Sequence, residues 1–304
     1  MTRTESLRSA FAAELDQLQL GRGRLLVAVS GGRDSVALLD LLAAASVDRG
    51  LILTVGHVDH GIHPASAVVA AAVRRLAEEY AVPYLERRLS LGADAGETTA
   101  RAGRYRALEA MRRAASADFI VTAHHADDQA ETVLMRALHG SGPAGLAGMA
   151  PRRGRVLRPL LPFRRGDLAR HLLQIGRAGW DDPANTDPSH FRSWVRCRVM
   201  PELVERLPDV AARLNAVARQ ARVDRAAWDS LLDMLPGLAF KVEPDGVSVG
   251  LEVLEAADDN LLLCLLMAIC RRTEFSVGPT RLGRVSELIR LAKSGARVPI
   301  GEGA

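Results

Sequence analysis

Lysine is nearly missing: Lys241 and Lys293 are the only two in 304 residues, so almost all of the 40 basic side chains are arginine. A Walker phosphate loop is thereby excluded from the first half of the chain, because that loop needs a lysine directly after its last glycine. Cysteine is also scarce. Cys197, Cys264 and Cys270 form no CxxC pair and fall beside no motif, which argues against a disulfide framework, a zinc ribbon and a cysteine-based sulfur relay. No apolar run reaches the ~18 residues of a membrane span, and MTRTESLRSAFAAEL mixes acids with its basic residues, unlike a signal or transit peptide. The expectation is a cytoplasmic protein with no membrane partner. No internal repeat or low-complexity tract is evident either.

What is present is enough apolar material, 48% of residues, for a substantial core and about two domains. LLVAV (25–29), LILTVGHV (51–58), VPYLERRL (82–89) and FIVTA (119–123) read as strands, and SVALLDLLAAA and SAVVAAAVRRLAEEY between them carry helical periodicity. Strand and helix alternating in this way predict an α/β fold with a parallel sheet covered on both faces, whose ligands sit at the carboxyl ends of the strands. A Gly/Pro-rich basic stretch runs from Gly140 to Pro162, helical character returns over 164–177 and 191–206, and a long helical run over 208–234 leads to a mixed C-terminal segment. The expected organisation is a catalytic domain over 1–207, a helical linker over 208–228 and a smaller α/β domain over 229–304.

Three clusters carry chemistry. SGGRDS (30–35) follows the first strand and opens a helix, where backbone N–H groups and the helix dipole favour an anion. Gly31 and Gly32 permit close approach of a phosphate, Ser30 and Ser35 offer hydroxyls, and Asp34 is placed either to cap the helix or to hold Mg²⁺. The spacing also departs from the dinucleotide pattern GxGxxG. In HHADDQAET (124–132), Asp128 and Glu131 are i,i+3 neighbours on one helix face and need a cationic partner, unless that face is simply solvated. His124, His125, Asp127 and Asp128 together have poor spacing for zinc. His57, His60 and His63 are read as the rim of a nucleotide site rather than a metal site. Finally, PRRGRVLRPLLPFRRGDLAR (151–170) holds seven arginines against the single acid Asp167, a segment suited to phosphates.

The strand plus SGGRDS resembles the pyrophosphate loop of the N-type ATP pyrophosphatases, which cleave ATP between its α and β phosphates. TAHHADDQAETVLMRALHGSGPAGLAGM (122–149) is similar to the signature of tRNA(Ile)-lysidine synthetases, supported by HVDHGIHPAS, ARAGRY, RPLL and WDDPANTD followed by FRSWVR, in the family's order over residues 25 to about 205. The resemblance implies ATP and Mg²⁺ as cofactors, and free L-lysine and tRNA(Ile) with a CAU anticodon as partners. ATP would be held by Ser30, Gly31, Gly32, Arg33, Asp34 and Ser35, with Val58 and His60 beside the base and Asp34 on the metal. Lysine would be held by Asp128 and Glu131 at its ammonium, with Arg104 holding its carboxylate or shaping the pocket, and Asp34, Arg104, His124, Asp128 and Glu131 would form the catalytic set. Arg152, Arg153, Arg155, Arg158, Arg164, Arg165, Arg192 and Arg196 would meet tRNA phosphates, with Trp180 and Trp194 as stacking platforms or core residues. A homodimer is left open.

The chain departs from the family pattern at three positions. His63 and His139 stand where arginine is common, and Ser193 where asparagine is usual. It also ends at SGARVPIGEGA, where the family continues into further strands, so some tRNA discrimination is expected to be lost. The rivals are a tRNA thiolase, which lacks its cysteines here, an amidating synthetase, which lacks a glutaminase domain, and a non-catalytic RNA-binding relative.

Overall fold

Val27, Val55 and Val121 lie side by side on three neighbouring strands, and this apolar register is the centre of the molecule's main sheet. The structure is a computed structural model that describes residues 3–59, 66–89, 97–180, 191–235, 238, 240–243, 246–250, 252–273 and 279–290. His60, His63 and most of WDDPANTD lie outside those residues.

The chain divides into two compact units, Met1–Ser141 with Gly148–Val217, and Gly142–Ala147 with Ala218–Ala304. In the first unit, α1 (Arg3–Gln17) precedes β1 (Gly23–Ala28), α2 (Arg33–Arg49), β2 (Leu51–Asp59), α3 (Ser66–Glu79), β3 (Tyr84–Arg88), α4 (Glu97–Ala114), β4 (Phe119–Val121) and α5 (Ala126–Leu138). A short α6 (Pro143–Leu146) belongs to the second unit. The first resumes with β5 (Arg152–Arg153), β6 (Val156–Leu157), α7 (Arg165–Gln174), α8 (Phe191–Trp194), a π-helical turn (Val195–Val199), α9 (Met200–Arg206) and the start of α10 (Val210–Met234). The sheet order is β3-β2-β1-β4-β6-β5, parallel throughout except for the antiparallel edge strand β5. This is the parallel α/β architecture that alternating apolar strands and amphipathic helices demand.

The first unit's main core joins Leu25 and Val27 of β1 to Leu38, Leu39, Leu41 and Leu42 of α2, with Phe11 and Leu15 of α1 and Leu168 and Leu172 of α7. Each fully buried leucine contributes about 1.5–3 kcal/mol relative to exposure. Leu26 points to the opposite face and packs with Leu108 and Met111 of α4, as the period of two along a strand requires. Asp40 breaks the apolar run of α2. Its carboxylate accepts from Tyr80 Oη at 2.7 Å and Arg8 Nη2 at 3.2 Å and pairs with His171 Nε2 at 2.7 Å, tying α1, α2 and α7 to the turn after α3. These partners outweigh the upward effect of burial and lower its pKa to about 2.

The second unit has its own core of Leu232, Leu238, Leu254, Leu262, Leu265, Leu266 and Ile269. It is built from the end of α10, the hairpin β7 (Phe240–Glu243) and β8 (Gly246–Val249), and α11 (Glu252–Ala256), α12 (Asp259–Arg272) and α13 (Pro279–Arg290). Asp258 starts α12 by accepting from Leu261 N.

Candidate active site

Three parallel strands, β1, β4 and β6, release the chain at their carboxyl ends, and the polar clusters singled out in the sequence follow them there. After β1, Gly31 adopts φ +91°, a left-handed conformation in which a Cβ would also lie 2.8 Å from Val69. Gly32 occupies the N-cap of α2 with no side chain to cap it. Ser35 Oγ donates to Gly32 O at 2.8 Å, and Ser30 Oγ lies 3.3 Å from Ser35 Oγ, so the serines brace the loop at the helix N-terminus. Arg33 is exposed. Asp34 is not the cap that the sequence allowed, because it lies in the first turn rather than at Gly32, and its carboxylate faces His125 and Arg165. A strap from α7 crosses the loop: Trp180 N donates to Gly31 O at 2.8 Å, and a Cβ on Gly179 would come 2.4 Å from Arg33 N. Only glycine permits that approach.

Val58 is at the end of β2 with its side chain in the core. His57 is likewise buried, and its Nδ1 meets Val29 O at 2.8 Å, so its ring supports the loop from beneath. Among the described residues no cluster of His, Cys, Asp and Glu is arranged to hold a metal by itself. Magnesium usually takes only one or two carboxylates along with phosphate oxygens and water, and Asp34 beside an anion-binding loop fits that donor set.

After β4, the two adjacent histidines part company. His125 is fully buried and caps α5, its Nδ1 accepting from Asp127 N at 3.2 Å and Asp128 N at 3.3 Å, while Asp128 Oδ2 accepts from His125 N at 3.1 Å. A cap of this kind stabilises a helix by about 0.5–2 kcal/mol. An Nδ1 that accepts leaves the proton on Nε2, which lies 3.4 Å from both Asp34 Oδ2 and Asp128 Oδ2. Burial acts to lower the imidazole's pKa, but the Asp34 and Asp128 carboxylates outweigh it and raise it. His124 behaves oppositely. Burial, with the charges of Arg104, Arg158 and Arg101, outweighs Asp128 and lowers its pKa to about 3. Its Nδ1 lies 2.9 Å from Thr122 Oγ1.

Asp128 and Glu131 do share a face of α5, and the structure supplies their cation from within the protein. Arg196 Nε donates to Glu131 Oε1 at 2.7 Å, and its Nη2 donates to Glu131 Oε2 and Asp128 Oδ1, each at 2.8 Å. Arg192, one turn earlier, reaches Asp128 at 3.3 Å and Glu131 at 3.4 Å. Burial pushes Asp128 up, but His125, Arg192, Arg196 and His124 prevail and hold it at about 2. The two arginines expected at tRNA phosphates are therefore turned inward, because a buried carboxylate pair without counter-ions would cost several kcal/mol. Arg196 stands in the π-helical turn, a distortion found often at functional sites.

A second correction concerns Arg158. It follows β6, is only 6% exposed, donates from Nη1 to Ala150 O at 2.9 Å and is not placed to meet an RNA backbone. It belongs with Arg101, Arg104 and Tyr105 of α4. The Arg101 and Arg104 guanidiniums lie 5.3 and 5.4 Å from the Tyr105 ring centre. Arg104 Nε, Arg158 Nε and Tyr105 Oη are buried without a hydrogen-bond partner. Burial raises the Tyr105 phenol, yet the charges of Arg158, Arg101 and Arg104 outweigh it and bring its pKa below the ordinary value.

The remaining basic residues of 151–170 are exposed. Arg152 stacks on Phe119, Arg155 donates to Asp118 O, and Arg164 and Arg165 open α7, where Arg165 N donates to Asp127 Oδ2 at 2.7 Å. Trp194 is 41% exposed, stacked on Phe191, which in turn meets His139 edge-on at 4.8 Å. The cap made by His125, the Gly179–Trp180 strap and the Arg158–Tyr105 pairing were not read from the sequence. The arginine clamp had a visible signal: Arg192 and Arg196 have i,i+4 spacing that complements the i,i+3 carboxylates.

Comparison with known proteins adds the family. The PP-loop domain family matches residues 7–203. A tRNA(Ile)-lysidine synthase from Alkalilimnicola ehrlichii is 39% identical over 235 residues, 75% of this chain and 52% of the relative. Another from Leifsonia xyli subsp. xyli is 40% identical over 262 residues, 84% of this chain and 78% of the relative. The chain thus spans about half the length of the first and most of the second. The solved U34-tRNA thiolase NcsA from Methanococcus maripaludis, with its 4Fe–4S cluster, aligns over 72% of this chain and 80% of its own at a TM-score of 0.62 and 18% identity, a likeness of fold.

Proposed function

The chain belongs to the tRNA(Ile)-lysidine synthase family of PP-loop proteins, and from that membership we propose that it ligates free L-lysine to C2 of the anticodon cytidine of tRNA(Ile) with a CAU anticodon. The observation that carries this reading is the placement of a phosphate-type loop and a buried carboxylate pair after the carboxyl ends of β1 and β4, joined through His125 between Asp34 and Asp128. An ATP site and an ammonium site side by side are what a two-step ligation needs.

In the first step the cytidine C2 oxygen attacks the α-phosphorus of ATP, the bond to the β-phosphate oxygen breaks, and pyrophosphate leaves. The N–H groups at the start of α2, with Ser30, Gly31, Gly32, Arg33 and Ser35, would receive that anion. Mg²⁺ held at Asp34 would offset phosphate charge. In the second step the lysine ε-nitrogen bonds to C2, the C2–O bond breaks and AMP departs with that oxygen. The amine must lose a proton first, since at a reference pKa of ~10.4 only about one in a few thousand is neutral at pH 7. Asp128 and Glu131 would hold the ammonium. A carboxyl at about 2 is a strong ion partner and a weak base, so Asp128 is assigned to binding and orientation and the proton of the ε-ammonium passes to Glu131. Placing amine and adenylate in line lowers the barrier through effective concentration.

For the RNA, Arg152, Arg153, Arg155, Arg164 and Arg165 offer exposed guanidiniums for phosphates, and the Phe191–Trp194 stack offers a face for a base. A reaction on tRNA would be carried out in the cytoplasm, which is the location proposed for the protein. The test is incorporation of radiolabelled lysine into an unmodified tRNA(Ile) transcript, with and without ATP, by wild type, Asp34→Ala and Asp128→Ala. ATP-dependent labelling lost in both variants supports the reading; no labelling by folded wild type overturns it.

A further inference from the structure

Helix α7 runs beside α2 in the same direction, and two pairs of an acid with a cationic-type side chain fix the register between them. His171 Nε2 meets Asp40 Oδ2 at 2.7 Å in the core, and six residues earlier on both helices Arg165 Nε stands 4.0 Å from Asp34 Oδ2. Leu168 and Leu172 bury the face of α7 along the same stretch, so its head cannot slide past α2 without breaking the core. Asp127 of α5 holds that head from the other side. Its Oδ2 accepts from Arg165 N at 2.7 Å, and its Oδ1 lies 3.7 Å from Arg164 Nη2. The backbone of Arg165 is thus fixed between α2 and α5, while its side chain is 45% exposed and, among the described residues, approaches no acid more closely than Asp34. That contact, too long for a hydrogen bond, does not occupy the N–H donors of the guanidinium.

Of the exposed guanidiniums offered to phosphates, that of Arg165 is the one held beside the ATP loop. The loop meets a triphosphate with neutral N–H groups, two hydroxyls and the carboxylate of Asp34, and the lysine of a Walker loop is missing, since Lys241 and Lys293 both belong to the second unit. Arg192 and Arg196 are engaged by Asp128 and Glu131, and Arg158 by Ala150 O. We infer that Arg165 binds the β- and γ-phosphates of ATP and stabilises the leaving pyrophosphate, and that Asp127 is the positioning residue that holds it there. This rests on the reading of SGGRDS as an ATP site. When the cytidine C2 oxygen attacks, the bond from the α-phosphorus to the bridging oxygen breaks, and its electron pair stays on that oxygen as pyrophosphate forms. The guanidinium donates hydrogen bonds to this growing charge and keeps its own proton, because arginine is always charged. The other source of such an anion is the tRNA backbone. ATP is favoured because Arg165 is in register with Asp34 in the first turn of α2, whereas Arg152 and Arg153 lie on the edge strand β5, separated from β1 by β4 and β6.

The experiment measures equilibrium binding of ATP, inorganic pyrophosphate and AMP to the full chain with Mg²⁺ by calorimetry, alongside the kinetics of lysine transfer to tRNA. Arg165→Met is expected to weaken ATP and pyrophosphate by about 10–100-fold, the loss of charge-assisted hydrogen bonds, and to leave AMP, which lacks the β- and γ-phosphates, within about twofold. Its kcat should fall about tenfold or more, with the KM values for lysine and tRNA within about twofold of wild type. Arg165→Lys keeps the charge without the planar fork and should recover part of the pyrophosphate affinity. Asp127→Ala should shift the ATP-to-AMP ratio in the same direction by a smaller factor, and should add nothing to that shift in the Arg165→Met background. Both arginine variants should melt near wild type, because the side chain they exchange is half exposed. ATP and pyrophosphate binding by Arg165→Met within about twofold of wild type overturns the proposal, and a raised KM for tRNA in that variant assigns the residue to the RNA instead. Equal weakening of AMP, ATP and pyrophosphate also overturns it, because the loss then lies in the loop as a whole. If wild type binds neither ATP nor pyrophosphate, the reading of the loop has itself failed, an outcome distinct from ATP binding that ignores Arg165.

Discussion

Replacing Arg196 with methionine removes three charge-assisted contacts at 2.7–2.8 Å from two carboxylates buried on α5. Glu131 is only 4% exposed and Asp128 12%, so water cannot substitute without distorting the helix packing. Breaking one side of a buried pair costs about 3–5 kcal/mol. Arg192 remains, but at 3.3 and 3.4 Å it retains part of the pairing, so the expected loss is about 2–4 kcal/mol. Urea denaturation at pH 7 followed by tryptophan fluorescence would measure it on the transition of the first unit, since two units need not unfold together. The double variant Arg196→Met with Glu131→Gln should recover at least about half of the loss, because the unpaired charge is gone. Free lysine should also restore stability to the single variant, by about 2.7 kcal/mol at a hundred times its Kd, if its ammonium takes the vacated place. A single variant within ~0.5 kcal/mol of wild type would show that Arg196 is not the counter-ion, and the carboxylate clamp would have to be abandoned.

Asp40, held at about 2 instead of 3.8, favours the folded state by about 2–2.5 kcal/mol at neutral pH, at ~1.36 kcal/mol per tenfold. Its pKa is depressed, so this contribution is complete above 3.8 and fades as pH falls towards 2; Asp40→Asn should be destabilised at pH 7 and converge with wild type near pH 2 in parallel urea titrations. Gly179→Ala forces a Cβ onto Arg33 N, so the KM for ATP should rise about tenfold or more in kinetic assays while the melting temperature stays near wild type. His125→Asn retains a capping oxygen but loses the N–H between Asp34 and Asp128; kcat should fall about tenfold or more with stability within ~1 kcal/mol, and an unchanged kcat would remove His125 from the machinery.

The sheet was legible because strands such as LLVAV and LILTVGHV are apolar on both faces and alternate with amphipathic helices, a pattern with few other solutions. The loop was legible for a similar reason, since two glycines and two serines between a strand and a helix have one common use. Partner choice was harder to read. Arg158 and Arg164 look alike in an arginine-rich stretch, but one follows a buried parallel strand and the other stands exposed at the N-terminus of α7, and only the fold separates them. Asp128 needed a cation, and chain-distant Arg196 competes with any ligand for that role in a way that spacing within α5 cannot disclose. The two histidines are adjacent and chemically identical, yet one turns its ring into a helix cap and the other into a cluster of arginines, which sends their protonation in opposite directions.

Transfer of the cytidine C2 oxygen to AMP is the step on which the proposed chemistry depends. A tRNA(Ile) transcript carrying heavy oxygen at C2 of its anticodon cytidine, incubated with ATP, lysine and the protein, would be followed by mass spectrometry of the released AMP. Label appearing in AMP, one for each lysine attached and only when lysine is joined, is the expected result. Unlabelled AMP, or ATP cleaved to ADP, would contradict adenylation of the C2 oxygen and with it the assignment of the loop at Ser30 to Ser35.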